Sequence, residues 1–336
     1  MTALVIQTSF LGDMVLTTPL IARLAESQAV DVVCTPASAG LLANNPSVRE
    51  VIVYDKRRRD AGPMAFRRLA TRLKRSRYDA AYLAQGSVRS GFLAMAARIA
   101  RRVGFASSAG RLFYTTRIPA VDGIHHAARL LSLATGDPSG TPSRVALQPR
   151  LYPGPVERAA TDGIVGPGER FVALAPGSVW ATKRWPGFPA LAALLSEYRP
   201  VVVGSADDAP LAAEIVAATG GRAVDATGKL SLLASAELIR RAAVLVTNDS
   251  APLHLASAMQ TPTVAVFGPT VPEFGFGPLA ERSAVAGRDE LACRPCDRHG
   301  PRRCPLGHWR CMREITPESV AALVRALRPS APSRPV

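Results

Sequence analysis

The chain has 336 residues, of which 48% are hydrophobic, and it carries a formal net charge of +15 at pH 7. This hydrophobic content is that of a globular protein and excludes a wholly disordered one. The length exceeds what one hydrophobic core usually supports, so we predict two domains. No apolar run reaches the ~18 residues that span a bilayer, and the N-terminus lacks the features of a secretion signal, so we expect a cytoplasmic protein.

Short apolar runs alternate with Ala-, Leu- and Arg-rich helical stretches along the chain. Buried runs of this kind, joined by helices, are typical of parallel sheets. The predicted strands lie at residues 4–6, 30–33, 51–54, 80–83, 171–174, 201–203, 244–246 and 263–267. The sequence therefore predicts the α/β fold class, with two β/α domains.

The alternating pattern weakens between Gly136 and Arg170, where prolines and glycines are frequent. Such a stretch is typical of a connection between domains. We therefore predict an N-terminal domain at 1–160, a C-terminal domain at 161–329 and a disordered tail at 330–336.

A carboxylate follows the first predicted strand. Residues 7–13 read Gln-Thr-Ser-Phe-Leu-Gly-Asp, and a helix is predicted from about Met14. Gly12 allows a tight turn, which leaves Asp13 at the junction of strand and helix, where parallel sheets bind ligands. Asp13 could cap the helix, or it could act as a general base that the positive helix end keeps ionised.

The positive charge is concentrated in the first half of the chain. Ten Lys and Arg residues stand between Lys56 and Arg77 against one acid, Asp60. A cluster of this density predicts a polyanionic partner, which could be an anionic membrane surface, a phosphorylated glycolipid or nucleic acid. Nucleic acid is the weakest of these, because the cations are not interleaved with aromatic stacking groups. The alternative is a solvated, solubilising face.

The second predicted domain begins as the first does, with a strand and a polar turn. Ser178 ends the turn Ala-Pro-Gly-Ser, and Lys183 and Arg184 follow before the next helix. A hydroxyl and two cations at this place could neutralise a diphosphate leaving group. The two cations could equally be solvated side chains.

The most polar junction of the chain runs from Thr247 to Thr270. Asp249 and Ser250 follow a predicted strand, and His254 lies one turn into the helix after them. A strand, helix and strand of this length form a parallel β-α-β unit, and its ligands bind where the helix N-terminus presents free N–H groups. A helix cap or a packed histidine would explain each residue alone, but together they predict a phosphate site.

These motifs, in this order, resemble those of the lipopolysaccharide heptosyltransferases, glycosyltransferase family 9. The resemblance covers almost the whole chain and rests on S-F-L-G-D-M-V-L-T-T-P-L, T-K-R-W-P, N-D-S-A-P-L-H-L-A-S-A and F-G-P-T. Matches at 78–79, 87–90 and 102–105 add to it. The cysteine-rich C-terminal stretch is similar to the heptosyltransferase II branch. The chain departs from the family at Ala251, where a glycine is frequent.

The resemblance implies a GT-B fold of two Rossmann-like domains facing a cleft. It implies that the first domain binds the inner core of lipopolysaccharide at the inner face of the inner membrane and that the second binds ADP-heptose. Transfer would proceed with inversion and with no cofactor, and consistent with this the chain has no D-x-D triplet of the kind that metal-dependent transferases use.

The resemblance also assigns roles to residues of this chain. Asp13 becomes the catalytic base and Lys183 the clamp on the diphosphate. The predicted donor-binding residues are Ser178, Lys183, Arg184, Thr247, Asp249, Ser250, Ala251 and His254. The resemblance and the basic cluster together predict the acceptor-binding residues, which are Ser9, Arg57, Arg58, Arg67, Arg68, Ser87 and Arg89. Two alternatives stay open: a family member that uses another nucleotide sugar, and a non-catalytic protein that binds nucleotides or glycolipids.

Four cysteines lie near the C-terminus, with the spacing C-x2-C-x7-C-x6-C. They are Cys293, Cys296, Cys304 and Cys311. In a cytosolic protein disulfides are disfavoured, and the first C-x2-C suits a tetrahedral zinc ion. The second pair is spaced too widely for a standard zinc ribbon, so structural zinc and reduced thiols are both left open.

Overall fold

The computed structural model describes residues 1–140, 142–166 and 168–327, and the predicted tail at 330–336 lies outside them. The described residues form two compact units, Met1–Tyr152 and a second that starts at Pro153. Residues 153–160, placed in the first domain by the sequence pattern, thus fall in the second unit. The reason is that helix α7 (Pro155–Asp162) packs against α10 (Leu232–Arg241).

The first unit contains six strands and six helices among its described residues. The strands are β1 (Thr2–Gln7), β2 (Ala29–Cys34), β3 (Glu50–Val53), β4 (Ala80–Tyr82), β5 (Arg101–Phe105) and β6 (Thr116–Ile118). The helices are α1 (Leu11–Ala25), α2 (Pro36–Ala39), α3 (Pro63–Arg75), α4 (Val88–Ala96), α5 (His126–Thr135) and α6 (Arg144–Leu147). The sheet is parallel, with the order β3-β2-β1-β4-β5-β6.

The second unit also has six parallel strands among its described residues. They are β7 (Phe171–Ala175), β8 (Arg199–Val202), β9 (Val224–Asp225), β10 (Val244–Asn248), β11 (Thr263–Val266) and β12 (Ser283–Ala286). Besides α7 and α10, the helices are α8 (Phe188–Leu194), α9 (Ala209–Ala218), α11 (Ala251–Met259), α12 (Arg310–Arg313) and α13 (Pro317–Ala326). The sheet order is β12-β11-β10-β7-β8-β9.

The two sheets have the same topology. If the strands of each unit are numbered from one, both sheets have the order 3-2-1-4-5-6, which is that of Rossmann-type dinucleotide-binding sheets. The strand order reverses between β1 and β4 in the first sheet and between β7 and β10 in the second. Ligands of such sheets bind outside the carboxyl ends of the strands at this switch point. The polar residues that follow β1, β7 and β10 therefore lie where a site is expected.

The predicted α/β class is confirmed, and the eight predicted strands are all present. The four strands that the sequence pattern missed are β5, β6, β9 and β12, which lie at or next to the edges of the sheets. Strands there do not need a continuous apolar run, because one side faces solvent or a loop. For example, β5 starts with Arg101, which is exposed, and β9 has only two residues. In the described part of the chain no helix is long and apolar enough to span a bilayer.

Candidate active site

A buried ion pair lies at the carboxyl edge of the second sheet. Lys183 ends a 3-10 turn after β7, and its Nζ lies 2.6 Å from Oδ2 of Asp249, which directly follows β10. The two side chains are only 10% and 11% exposed. Thr270, after β11, donates its hydroxyl to the same carboxylate oxygen at 2.7 Å. Three neighbouring strand ends therefore contribute to one polar cluster.

This arrangement fixes a positive charge at the sheet edge. An ammonium group taken out of water is costly unless a partner compensates it, and Asp249 is that partner for Lys183. The ammonium group has three donors, so it can also bind the oxygens of an anion. The Asp249 carboxylate would repel such an anion. Asp249 is therefore suited to hold Lys183 in place rather than to contact a phosphate itself.

The N-terminus of helix α11 follows the ion pair directly. Ser250 occupies the N-cap position, but its side chain makes no capping hydrogen bond. Ser250 thus takes the cap position that the alternative interpretation gave it, but its hydroxyl does not cap the helix. Ala251 is the first helical residue, and an N–H group at this position has no acceptor within the helix. Since the positive end of the helix dipole also lies here, the position favours an anion.

Two predicted donor-site residues, Thr247 and His254, are buried in the second unit. The His254 ring lies edge to face with that of Phe276, with ring centroids 6.2 Å apart. The Thr247 hydroxyl donates to the carbonyl oxygen of Asn248 at 3.0 Å. Through these contacts the two residues pack around the end of the strand.

The loop after β7 is closed by its own hydrogen bonds. The Ser178 hydroxyl accepts from the backbone N–H of Trp180 at 3.3 Å. Arg184 donates from Nε to the Ser178 carbonyl at 2.9 Å, while the residue stays exposed. Ser178 itself is 9% exposed. Of the two, Arg184 has more freedom to approach a ligand from solvent.

Asn248 is a site residue that the sequence motifs did not single out. Its amide is buried at the end of β10 and donates from Nδ2 to the Pro176 carbonyl at 2.8 Å. Its Oδ1 accepts from the backbone N–H of Trp185 at 3.1 Å. Asn248 thus ties both ends of the loop that carries Lys183 to the neighbouring strand. Its position between a predicted strand and Asp249 was the sequence signal that could have indicated it. Its hydrogen-bond partners, Pro176 and Trp185, are distant in sequence.

In the first unit, Asp13 lies inside the first turn of α1. The helix begins at Leu11 with Phe10 at the N-cap, so the interpretation of Asp13 as the N-cap residue is wrong. The Ser9 hydroxyl lies 2.6 Å from Oδ2 of Asp13 and 2.6 Å from Oε1 of Gln7. A hydroxyl has one proton and can donate to only one of these at a time. The Asp13 carboxylate is therefore held by a weakly committed partner and can accept a proton.

His126 is a second residue that the sequence motifs missed. It is the first residue of α5, and its Nε2 lies 3.7 Å from Oδ1 of Asp13. The side chains of His126 and Asp13 are 16% and 18% exposed. A histidine at this distance stabilises a neighbouring carboxylate when it is protonated, although 3.7 Å is longer than a direct hydrogen bond. No local motif predicts this contact, because it links the ends of two helices far apart in sequence.

Lys56 of the basic cluster and two predicted acceptor residues, Arg57 and Arg89, form a cationic group. Lys56 donates from Nζ to the carbonyl of Thr8 at 2.8 Å and to its hydroxyl at 3.1 Å. Arg89 donates to the Lys56 carbonyl at 3.2 Å. Burial lowers the pKa of Lys56, and the charges of Arg57 and Arg89 lower it further. Within the described residues no carboxylate pairs with these three cations, so the group favours an anion.

The remaining predicted acceptor residues are distributed over a wider surface. Arg67 and Arg68 are exposed on α3 and line a groove with Met64, Thr71, Arg72, Arg75 and Ser76. Arg58 is exposed in the loop after β3. Ser87 is the N-cap of α4 and its hydroxyl accepts from the Ser90 N–H at 3.2 Å. Ser87 thus has a structural role that the sequence prediction did not include.

The four C-terminal cysteines do not form a recognisable metal site. No three His, Cys, Asp or Glu side chains of the described chain are grouped as metal ligands, although all four cysteines belong to it. Cys293 instead approaches His308, with 4.0 Å between Sγ and Nε2, and Cys296 donates to the Cys293 carbonyl at 3.2 Å. As placed, the residues do not fit the zinc site that the spacing allowed, and all are free thiols.

The chain is similar in sequence to known proteins. Residues 66–308 match the sequence profile described as Glycosyltransferase family 9 (heptosyltransferase). The chain is 29% identical to lipooligosaccharide heptosyltransferase 2 of Haemophilus influenzae, over 95% of this chain and 96% of that one. It is 30% identical to lipopolysaccharide heptosyltransferase 1 of Pseudomonas aeruginosa, over 88% and 86% of the two chains.

Similarity extends to solved structures. The structure of Escherichia coli ADP-heptose lipopolysaccharide heptosyltransferase II superposes with a TM-score of 0.79 at 26% identity, covering 97% of this chain and 98% of that one. The likeness confirms the GT-B fold that the sequence motifs implied.

Proposed function

Because the chain belongs to glycosyltransferase family 9, the heptosyltransferase family, we propose that it transfers a heptose from ADP-heptose to the inner core of lipopolysaccharide. The observation that carries this proposal is the buried Lys183–Asp249 pair beside the N-terminus of α11. That combination suits a diphosphate that gains charge as the bond to the sugar breaks. The donor is named by the similar Escherichia coli enzyme, and it is carried over here as part of the proposal.

In the proposed reaction the second unit stabilises the leaving group. As the bond between the anomeric carbon and the diphosphate oxygen breaks, negative charge develops on ADP. Lys183 donates to these oxygens, and the N–H of Ala251 at the start of α11 donates from the helix side. The ammonium group does not have to reorganise, since Asp249 already holds it and Thr270 in turn holds Asp249.

The first unit supplies the base. Asp13 removes the proton from the acceptor hydroxyl while the hydroxyl oxygen attacks the anomeric carbon from the face opposite the diphosphate, so the configuration inverts. His126 lies 3.7 Å from Asp13 and stabilises the carboxylate before the transfer when its imidazole is protonated. The Ser9 hydroxyl can turn from Asp13 to Gln7 once the carboxylate is neutral.

The acceptor is proposed to be held by the cationic surface of the first unit. Lipopolysaccharide inner core carries carboxylates and phosphates, which the group of Lys56, Arg57 and Arg89 is suited to bind. Exposed apolar side chains support docking at a membrane surface, since Phe92 and Leu112 are 42% and 78% exposed. We therefore propose that the enzyme works as a peripheral protein at the cytoplasmic face of the inner membrane.

A second candidate within the same fold is transfer of a different sugar. The residues that support the donor site bind phosphates, and none of the contacts above reads a sugar ring. An assay of the purified protein with a panel of nucleotide sugars and heptose-deficient lipopolysaccharide decides between these functions. We expect ADP release with ADP-heptose alone. Turnover with another nucleotide sugar would favour the second candidate, and nucleotide binding without any turnover would favour a non-catalytic binding protein.

A further inference from the structure

The segment from Cys293 to Pro301 lies against the edge of the second sheet that carries Lys183. The backbone N–H of Cys296 donates to the Pro269 carbonyl at 2.9 Å. At its other end, the Pro301 carbonyl accepts from the Thr182 hydroxyl at 2.6 Å. The segment therefore contacts both the loop after β11 and the turn after β7, although its sequence suggested only a cysteine motif.

Arg294 makes the most extensive contacts of this segment. Its side chain is only 2% exposed. Nε donates to the carbonyl of Gly268, and Nη2 donates to the carbonyls of Phe267 and Thr270, both at 3.0 Å. Nη1 pairs with Asp289 at 2.9 Å, but that carboxylate is 93% exposed. Three backbone carbonyls of one loop thus provide the partners for a buried guanidinium group.

An exposed ion pair contributes little, so Asp289 does not account for the burial of Arg294. A buried guanidinium needs acceptors for its fixed, planar set of donors, and here the loop 267–270 supplies them. The converse also holds: the three carbonyls converge on one rigid group, which fixes the conformation of that loop. Lysine cannot replace this function, because its single ammonium group does not present donors in a planar fork.

The loop fixed by Arg294 carries the hydroxyl that holds Asp249. Arg294 binds the Thr270 carbonyl, the Thr270 hydroxyl donates to Oδ2 of Asp249, and that oxygen also accepts from Lys183. Each link is 3.0 Å or shorter, and Thr270 is 1% exposed. A continuous path of hydrogen bonds therefore leads from Arg294 to the ammonium group.

The same segment approaches Lys183 directly from another side. Gly300 adopts a φ of +86°, and a Cβ at this position would lie 3.1 Å from Cε of Lys183. The positive φ favours glycine here, and a side chain would crowd the lysine stem. The lysine is thus confined by Gly300 while its ammonium group is held by Asp249.

We propose that Arg294 is a positioning residue for the diphosphate clamp, which acts on the donor through Thr270, Asp249 and Lys183. The inference rests on the proposed function, since it takes Lys183 as the group that binds the donor diphosphate. Loss of Arg294 frees the loop 267–270 and lets the ammonium group shift. Misplacement of a positioned group by about 1 Å can lower a rate by about 10²-fold.

The test compares Arg294→Gln and Arg294→Lys with a matched control, Asp289→Asn, which removes only the exposed partner of the same guanidinium. For each variant we would measure ADP affinity by calorimetry, kcat and KM for donor and acceptor, and circular dichroism. Both Arg294 variants are expected to weaken ADP binding and lower donor kcat/KM by about 10- to 100-fold, with the acceptor KM unchanged. Asp289→Asn is expected to stay within about twofold of wild type.

A double-variant cycle separates positioning from a general loss of structure. If Arg294 acts through Lys183, Arg294→Gln has little further effect on ADP affinity in a Lys183→Ala background. Additive losses in that background would overturn the proposal. So would folded Arg294 variants with wild-type donor kinetics. If both Arg294 variants fail to fold, Thr270→Val tests the middle of the path, and unchanged ADP affinity in that variant would overturn the proposal.

The wild-type protein distinguishes the two levels of inference. If it binds no ADP and turns over no nucleotide sugar, the proposed function fails. If it binds ADP normally and the Arg294 variants do so too, only the positioning role fails.

Discussion

The two sheets of this protein share one strand order but differ in the chemistry at their switch points. In the second unit the charge is fixed: Lys183 and Asp249 are nearly buried and braced by Thr270. In the first unit Asp13 is more exposed, shares the single proton of Ser9 with Gln7, and lies 3.7 Å from His126. The difference fits the proposed roles, in which the second unit holds the leaving group and Asp13 of the first unit accepts a proton.

The cations of the two units differ in the same way. Lys56, Arg57 and Arg89 of the first unit have no carboxylate partner among the described residues, whereas Arg294 of the second unit is enclosed by carbonyls. Exposed or partly exposed cations without a carboxylate partner suit a partner that arrives from outside. A cation enclosed by backbone carbonyls is suited to hold a loop in one conformation. The two units thus place their cations in different surroundings on one topology.

The largest effect is expected for Asp13→Asn. Asn cannot accept the proton, so turnover should fall by about 10²–10⁴ while the protein stays folded. Steady-state kinetics with ADP-heptose and heptose-deficient lipopolysaccharide, together with a thermal unfolding curve, measure both quantities. Full activity at unchanged stability would remove Asp13 from the mechanism.

Lys183→Ala should lower the rate by about 10²–10³, which is typical of losing one donor to developing charge. It also leaves the Asp249 carboxylate buried without its cation, so stability should fall by about 3 kcal/mol. The comparison variant is Arg184→Ala, because Arg184 is exposed and adjacent in sequence. A larger loss of donor kcat/KM in the Arg184 variant than in the Lys183 variant would contradict the assigned clamp.

The first-unit cations should act on the acceptor alone. Replacing Arg57, Arg58, Arg67 and Arg68 with Ser is expected to raise the acceptor KM by about tenfold and to flatten its salt dependence, with kcat and donor KM near wild type. A matched control replaces exposed cations of the second unit with Ser and lowers the net charge equally. The control positions are Arg158, Lys229, Arg313 and Arg325. Equal effects of both sets would reduce the patch to a solvated face.

The smallest effect on turnover is expected at the cysteines, where the question is whether they bind a metal ion. Burial raises the pKa of Cys311 to about 11 and that of Cys34 to about 12, so both stay protonated at pH 8. Burial acts against a low pKa in Cys304 also, but nearby backbone N–H groups outweigh it and lower the pKa. Iodoacetamide should therefore label Cys304 first, as read by mass spectrometry, and EDTA should leave turnover unchanged.

Protection of all four C-terminal cysteines until a chelator is added would contradict this prediction. It would show that they bind a metal such as zinc in solution.

The sequence predicted the parts of this site that depend on local chemistry. Asp13, Lys183 and Asp249 could be singled out as candidates because each follows an apolar strand, and a strand end next to a helix start is visible over ten residues. His126, Asn248 and Arg294 were not singled out, because their contacts are with partners remote in the chain. The Lys183–Asp249 contact itself joins residues 66 apart, which no local pattern encodes. Edge strands such as β9 were missed because they need no apolar run.

The central claim is that the proton-exchanging site and the charge-holding site are separate, and donor affinity tests it most directly. Calorimetric titration of ADP-heptose would be carried out on wild type, Asp13→Asn and Lys183→Ala, with folding checked by circular dichroism. We expect Asp13→Asn to bind the donor within about twofold of wild type and Lys183→Ala to bind it at least about tenfold more weakly. Wild-type donor affinity in Lys183→Ala, or an equal loss in both variants, would contradict the division of roles between the two units.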